Sequence, residues 1–251
     1  MPGSLGGETV VITGGAVRLG RAIAFECARS GASVAISYNH SAEQAAQTLR
    51  ELKELGNGKQ RFASFQADVS QSGDVEKLVR DVQRELGGAT MLVNNAAIFR
   101  RTPFETMTEA DFDDHIAANL KGPYLLSKYF GDVFVSQKHG AILNIADIYG
   151  LRPLKNYVPY CISKAGVVML TQALALALAP HVRVNAICPG TILTPSETQD
   201  EDDGEALLLP KIPLGRLGTP EEIAQTAAFL LAGPGFISGA IVPVDGAQRL
   251  R

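Results

Sequence analysis

The chain has 251 residues, enough to bury a sizeable core, with 46% hydrophobic and 20% charged residues and a formal net charge of -3 at pH 7. That balance argues against a nucleic-acid surface, because no basic excess is present to meet a phosphate backbone. No run reaches the roughly 18 uninterrupted apolar residues of a membrane helix, and "MPGSLGGETVVITGG" lacks the basic and apolar regions of a signal peptide, so a cytosolic location is expected.

Seven β-rich runs alternate with longer segments of helical apolar spacing. The first, "ETVVITG", feeds "TGGAVRLGRAIA". There Gly14 and Gly15 permit a tight turn, Gly20 lets the next helix sit against the sheet, and the helix N-terminus offers free N–H groups to a pyrophosphate. The second run, "SVAISY", leads into Tyr38, Asn39, His40 and Ser41, with no carboxylate before Glu43. The third, "RFASFQAD", ends at Asp68 and Val69, and Asp68 is placed to cap a helix starting near Ser70. The fourth, "TMLVNNA", carries "NNAA" at 94 to 97 with Phe99 soon after, and "AANLKGPY" further on holds Asn119.

The fifth run, "AILNIA", goes straight up to an acid, Asp147, before breaking at Gly150. A helix from about 157 to 179 then sets Tyr160 and Lys164 one turn apart on one face. The sixth, "VRVNAIC", precedes Pro189 and Gly190. From 191 to 219 the rhythm lapses into an acidic cluster and a short apolar run, which reads as a substrate lid or as a solvated insertion. The last run, "AIVPVDG", is followed by a basic tail ending at Arg251. Crossovers of this length imply a parallel sheet with helices on both faces: one doubly wound α/β domain spanning 1–251. Cys27, Cys161 and Cys188 are odd in number and lack metal spacing, so they read as reduced, packed thiols, and no metal site is expected.

Thr13-Gly14 with Gly20, "NNAA", Tyr160-x-x-x-Lys164 and Pro189-Gly190 together, in this order and at this spacing, resemble the short-chain dehydrogenase/reductase family over essentially the whole chain. The resemblance implies a Rossmann-type seven-stranded fold, a nicotinamide cofactor and a small-molecule substrate. Tyr160 would be the proton donor. Lys164 would bind the nicotinamide ribose and lower the Tyr160 pKa from its ordinary ~10. Asn119 would hold a relay water, Asp68 would meet the adenine edge, and Thr194 the nicotinamide carboxamide. Leu19, Val69, Ala96, Pro189 and Gly190 would line the cofactor with Gly14, and Asn95 reads more as a strand-end lock than as chemistry. A 2′-phosphate needs the acid after the second strand absent and donors present. Tyr38, Asn39, His40, Ser41 and the cation Arg18 meet that condition, so NADPH is the expected cofactor.

One position departs from the family. Most members carry a serine thirteen residues before the tyrosine, where its hydroxyl donates to a substrate carbonyl; here that position is Asp147. An ionised carboxylate only accepts, so it suits a substrate with N–H groups or a ring nitrogen to be protonated better than a ketone. Burial would raise its pKa from ~3.9 while Lys164 opposes the rise.

Within the family the pattern resembles the pteridine reductases, which also place Arg in the turn, as at Arg18, Asp at the serine position, and an aromatic ring after the "NNA" strand, as at Phe99. That implies a pterin stacked on Phe99, with Arg18, Asp147 and Tyr160 on its edge, a homotetramer, and Arg251 reaching a neighbouring subunit's site. Ala97 stands where such reductases often carry serine. The rival readings are a reductase of 3-oxoacyl thioesters or sugar-like ketones, and an NADPH-binding regulator without turnover.

Overall fold

The computed structural model describes residues 4–192 and 209–251. All seven expected strands form: β1 (Thr9–Thr13), β2 (Ser33–Tyr38), β3 (Phe62–Gln66), β4 (Met91–Asn94), β5 (Gly140–Ile145), β6 (Val182–Pro189) and β7 (Ile241–Val244). Every pairing is parallel, in the order β3-β2-β1-β4-β5-β6-β7. Among the described residues the α-helices are α1 (Arg18–Arg29), α2 (Ala42–Leu55), α3 (Ser72–Leu86), α4 (Glu109–Ile116), α5 (Gly122–Ser136), α6 (Val158–Ala177) and α7 (Pro220–Ala232).

Parallel strands of this kind need apolar residues on both faces, and β1 shows why. Val10 and Ile12 point into a core shared with α1, α2 and α7, while Val11 points the other way, into a core shared with α3 and α5. A smaller cluster joins α6 to the sheet through Val167, Ala186 and Cys188. Cys27, Cys161 and Cys188 are free thiols, and burial pushes Cys27 up to about 12 and Cys188 to about 11, so neither is a nucleophile at neutral pH.

The sheet order reverses direction at β1 and β4, which opens a crevice beyond their carboxyl ends. The ends of the 191–219 segment are pinned together. Ile192 bridges Gly218, and the Gly218 N–H donates to the Thr191 carbonyl at 3.0 Å. The acidic cluster and Thr194 lie outside the described residues.

Candidate active site

The turn after β1 is built for close approach. Gly14 has φ 63°, and a Cβ on Gly20 would stand 2.2 Å from the Gly14 carbonyl oxygen, so helix α1 reaches the turn only because position 20 has no side chain. Asn95 locks the arrangement from β4. Its Nδ2 donates to the carbonyls of Thr13 (2.9 Å) and Gly14 (3.2 Å), and its main-chain N–H donates to Thr13 Oγ1 (3.0 Å). Asn95 is therefore a structural clamp, as its place at the strand end suggested. The N-cap of α1, Val17, has no side-chain acceptor, which leaves the first-turn N–H groups facing the cleft. Arg18 is exposed, with φ 49°.

A cleft of about 1340 Å³ opens here. It is lined by Gly14, Arg18 and Leu19 from the turn, Tyr38, Asn39, His40 and Ser41 after β2, Asp68 and Val69 after β3, and Asn95 and Ala96 after β4. Asp68 also shapes its own loop, accepting from the Ser70 N–H (2.9 Å) and hydroxyl (2.8 Å). The helix it was expected to cap begins at Ser72, with Gln71 as its N-cap. Three acidic side chains that the spacing did not flag also reach the cleft wall: Glu26, Glu51, which is paired with Arg21, and Glu221. An uncapped helix N-terminus, a glycine cradle and a cleft of this size fit the pyrophosphate and adenosine of a dinucleotide.

At the far side of the crevice, Asp147 stands just beyond the end of β5 and does two things. Its Oδ1 accepts from the Tyr149 N–H at 2.8 Å, capping the 3-10 turn Ile148–Gly150, and its Oδ2 accepts from the Tyr160 hydroxyl at 2.7 Å. The turn cap and the contact with Tyr160 are thus made by the two oxygens of one carboxyl. Lys164 is 4% exposed; its Nζ donates to the Ile145 carbonyl at 2.9 Å and lies 5.7 Å from the Tyr160 ring centre.

Burial raises the Asp147 pKa, outweighing the Tyr149 and Tyr160 hydrogen bonds and the Lys164 charge, which lower it. Burial also lowers Lys164, against the opposing pull of Asp147. The expected lowering of Tyr160 does not occur: burial and then the Asp147 charge push its phenol well above the ordinary value. The physical reason is first that burial removes water from the phenol, and then that Asp147, not Lys164, holds the hydroxyl. The Asp147–Tyr160 pair thus retains its protons to higher pH than either group would alone in water.

Asn119 sits in a π-helical turn, Ala117–Lys121, between α4 and α5. Its Oδ1 accepts from the Ile98 N–H (2.8 Å), and its Nδ2 donates to the Ile98 carbonyl (2.9 Å) and Ser163 Oγ (3.1 Å). It ties the segment after β4 to α6. Phe99 follows, stacked on Tyr157 (4.6 Å between ring centres, 11° apart) and edge-on to Tyr160 (4.7 Å, 77°). It remains 54% exposed, so a ring face stays available. The segment is held by the Thr102 N–H, which donates to the Asn156 carbonyl at 2.7 Å.

His115 was missed by sequence reading. It is fully buried, its Nδ1 lies 2.6 Å from the Asp111 carbonyl, its ring is 6.3 Å from that of Tyr160, and its Nε2 has no hydrogen-bond partner among the described residues. Nothing in the helical spacing of α4 distinguishes this position from an ordinary core residue. Pro189 and Gly190 end β6, with the Gly190 N–H donating to the Val244 carbonyl at 3.0 Å. The main chain of Arg251 is held by Arg152 of the same chain.

The chain matches the family model described as enoyl-(acyl carrier protein) reductase over residues 15–247. It is 33% identical over 245 residues to the 3-oxoacyl-[acyl-carrier-protein] reductase FabG of Staphylococcus epidermidis, covering 97% of this chain and 99% of that protein. It is 35% identical over 251 residues to the 3beta-hydroxysteroid dehydrogenase 1 of Eggerthella lenta, covering 98% and 95%. Among solved structures, a short-chain type dehydrogenase/reductase from Mycobacterium marinum superposes with a TM-score of 0.90 at 32% identity, covering 98% of this chain and 96% of that one. With the glycine cradle, the clamped Asn95 and the Tyr160–Lys164 pair all in place, the chain belongs to the short-chain dehydrogenase/reductase family of nicotinamide-dependent oxidoreductases.

Proposed function

We propose that the protein is a cytosolic, homotetrameric, NADPH-dependent reductase that passes hydride to a pterin or dihydropterin ring. The observation that carries this reading is the buried Asp147 carboxyl bonded directly to the Tyr160 hydroxyl at 2.7 Å. A carboxyl whose proton is retained above the ordinary carboxylate range can donate to a ring nitrogen and, once ionised, accept from an N–H group. A serine hydroxyl offers a ketone one donor and, unlike a carboxyl, is too weak an acid to exist in an ionised form near neutral pH.

Bound NADPH supplies the hydride. Tyr160 and Asp147 deliver the proton to the imine nitrogen next to the carbon that takes the hydride, and the pair is reprotonated from solvent. Lys164 holds the cofactor ribose. Phe99 offers its open ring face to the flat heterocycle, while Arg18 meets cofactor phosphate and substrate edge. The preference for NADPH draws support from Asn39, His40 and Ser41 after β2, where an acid would otherwise repel a 2′-phosphate. Val158, Ile162, Met169 and Leu176 are all exposed and fall on one stripe of α6, which supports a subunit interface there.

The second reading, reduction of a 3-oxoacyl thioester or another ketone, is favoured by the named activities of the relatives. A substrate panel decides between them. The purified chain is offered NADPH with a dihydropterin, a dihydrofolate, a 3-oxoacyl thioester and a small ketone, and cofactor oxidation is followed. Turnover of the pterin is expected; turnover of the thioester or ketone alone would overturn the pterin reading in favour of the second. NADPH binding without turnover of any of them would point to a regulator.

A further inference from the structure

Residues 245–251 form a hub that the proposed chemistry leaves unused. The buried Asp245 carboxylate accepts from the main-chain N–H groups of Ala247 (3.1 Å) and Arg249 (2.9 Å) and from the Arg249 guanidinium (3.2 Å). Gly246 and Ala247 have φ of 57° and 67°, a left-handed pair that costs energy at the alanine. The carboxylate holds that turn in place.

From this turn Gln248, 4% exposed, reaches the end of β6. Its Oε1 accepts from the Thr191 N–H at 2.9 Å, and its Nε2 donates to Thr191 Oγ1 at 2.9 Å. A Cβ at position 190 would stand 2.8 Å from both Asp245 Cα and Gln248 Oε1. Gly190 therefore lacks a side chain because the C-terminal turn occupies that space. On its other side the turn is held by Arg152, whose Nη1 donates to the Gln248 carbonyl at 3.0 Å and to the Arg251 carbonyl. Arg152 lies just beyond the 3-10 turn that Asp147 caps.

We infer that Gln248 is a positioning residue for the nicotinamide end of the cofactor site: it sets the main chain at Gly190–Thr191, and Arg152 registers the same turn against the loop that carries Asp147. This rests on the proposed reading of the cleft as an NADPH site. The sheet order separates β6 and β7 from the adenosine side at β1 and β2, so the effect of Gln248 is confined to one end of the cofactor.

The test is calorimetric titration of the full chain with NADPH and, in parallel, with 2′-phospho-ADP-ribose, which lacks the nicotinamide. Gln248→Met keeps the side-chain length and removes both bonds, and it should raise the NADPH Kd about tenfold while the fragment Kd stays within about twofold. Arg152→Met, which leaves the Gln248 side chain untouched, should weaken NADPH about threefold with the same selectivity; if Gln248→Met does not fold, this variant decides alone. Unchanged NADPH affinity, or equal weakening of NADPH and fragment, would overturn the positioning role. Wild-type protein that bound neither NADPH nor the fragment would overturn the cofactor reading together with it.

Discussion

The Tyr160 hydroxyl donates to Asp147 Oδ2 at 2.7 Å, while the other oxygen of the same carboxyl caps the turn that follows β5. One side chain therefore aims the tyrosine and anchors the loop, and in the proposed chemistry it also carries the proton. Removing its charge while keeping its shape separates these roles. Asp147→Asn keeps one acceptor oxygen, enough for the Tyr149 N–H, while its NH2 takes the place of the oxygen that accepts from the Tyr160 hydroxyl, and it has no carboxyl proton to give. Pterin turnover should fall about 100-fold or more, the range of a lost general acid, with NADPH affinity nearly unchanged. Asp147→Ser should also lose pterin turnover. Steady-state rates and cofactor titration read both effects, and full pterin activity in either variant would make Asp147 a structural cap.

The direction of the Asp147 shift sets a pH dependence. Burial disfavours its charged form, so the folded chain holds this proton above the ordinary value near ~3.9. Within that window the native state binds more protons than the unfolded state, so stability falls as pH rises, and the loss persists above the folded pKa. Asp147→Asn should therefore gain stability relative to wild type as pH rises from about 4 through the raised folded-state pKa, measured by thermal melts. In turnover, wild-type kcat/KM for a pterin should decline as pH rises through the same pKa, a limb absent from the variant. A constant melting difference across the range would contradict the shift.

Phe99 is half-exposed, so its truncation tests substrate contact with little cost to folding. Phe99→Ala should raise the KM for a pterin about tenfold, in line with one lost aromatic stack and the area it covers. Because Phe99 also packs edge-on against Tyr160, kcat should fall by a smaller factor. An unchanged KM would mean that the substrate plane lies elsewhere.

Gly20→Ala places a Cβ 2.2 Å from the Gly14 carbonyl oxygen, a contact that only a shift of the turn or of α1 can relieve. Dinucleotide affinity should drop by about 100-fold. Gly73→Ala is the control: its Cβ meets nothing within 4 Å, and it should raise stability by up to about 1 kcal/mol through helix propensity with binding intact. Equal dinucleotide affinity in Gly20→Ala and wild type would refute the cradle.

Asn39→Asp puts a carboxylate after β2, next to where a 2′-phosphate would sit. NADPH affinity should fall about tenfold or more and NADH affinity should rise, the ribose hydroxyls now having an acceptor. Parallel titrations with the two cofactors check the exchange, and unaltered selectivity would place the phosphate elsewhere.

The seven strands, the long helix bearing Tyr160 and Lys164, and the cradle at Gly14 and Gly20 were legible along the chain, because each rests on local periodicity or on a residue type that a tight turn demands. Tyr38 to Ser41 were singled out by the missing acid after the second strand and Asp68 and Val69 by the family resemblance, and all of them line the cleft. The direction of the Tyr160 shift was not legible: the helical spacing to Lys164 suggested a lowered pKa, and only the fold shows that Asp147 takes the hydroxyl while burial removes water from both. Gln248, Arg152 and His115 were invisible for the same reason, since each acts through partners, or lacks one, in segments far apart in sequence or in a core whose packing the spacing does not reveal. Thus the chain by itself determined the elements and the family's chemistry-bearing side chains. The tertiary structure decided which of them share a proton, because desolvation and distance exist only once the segments are packed together.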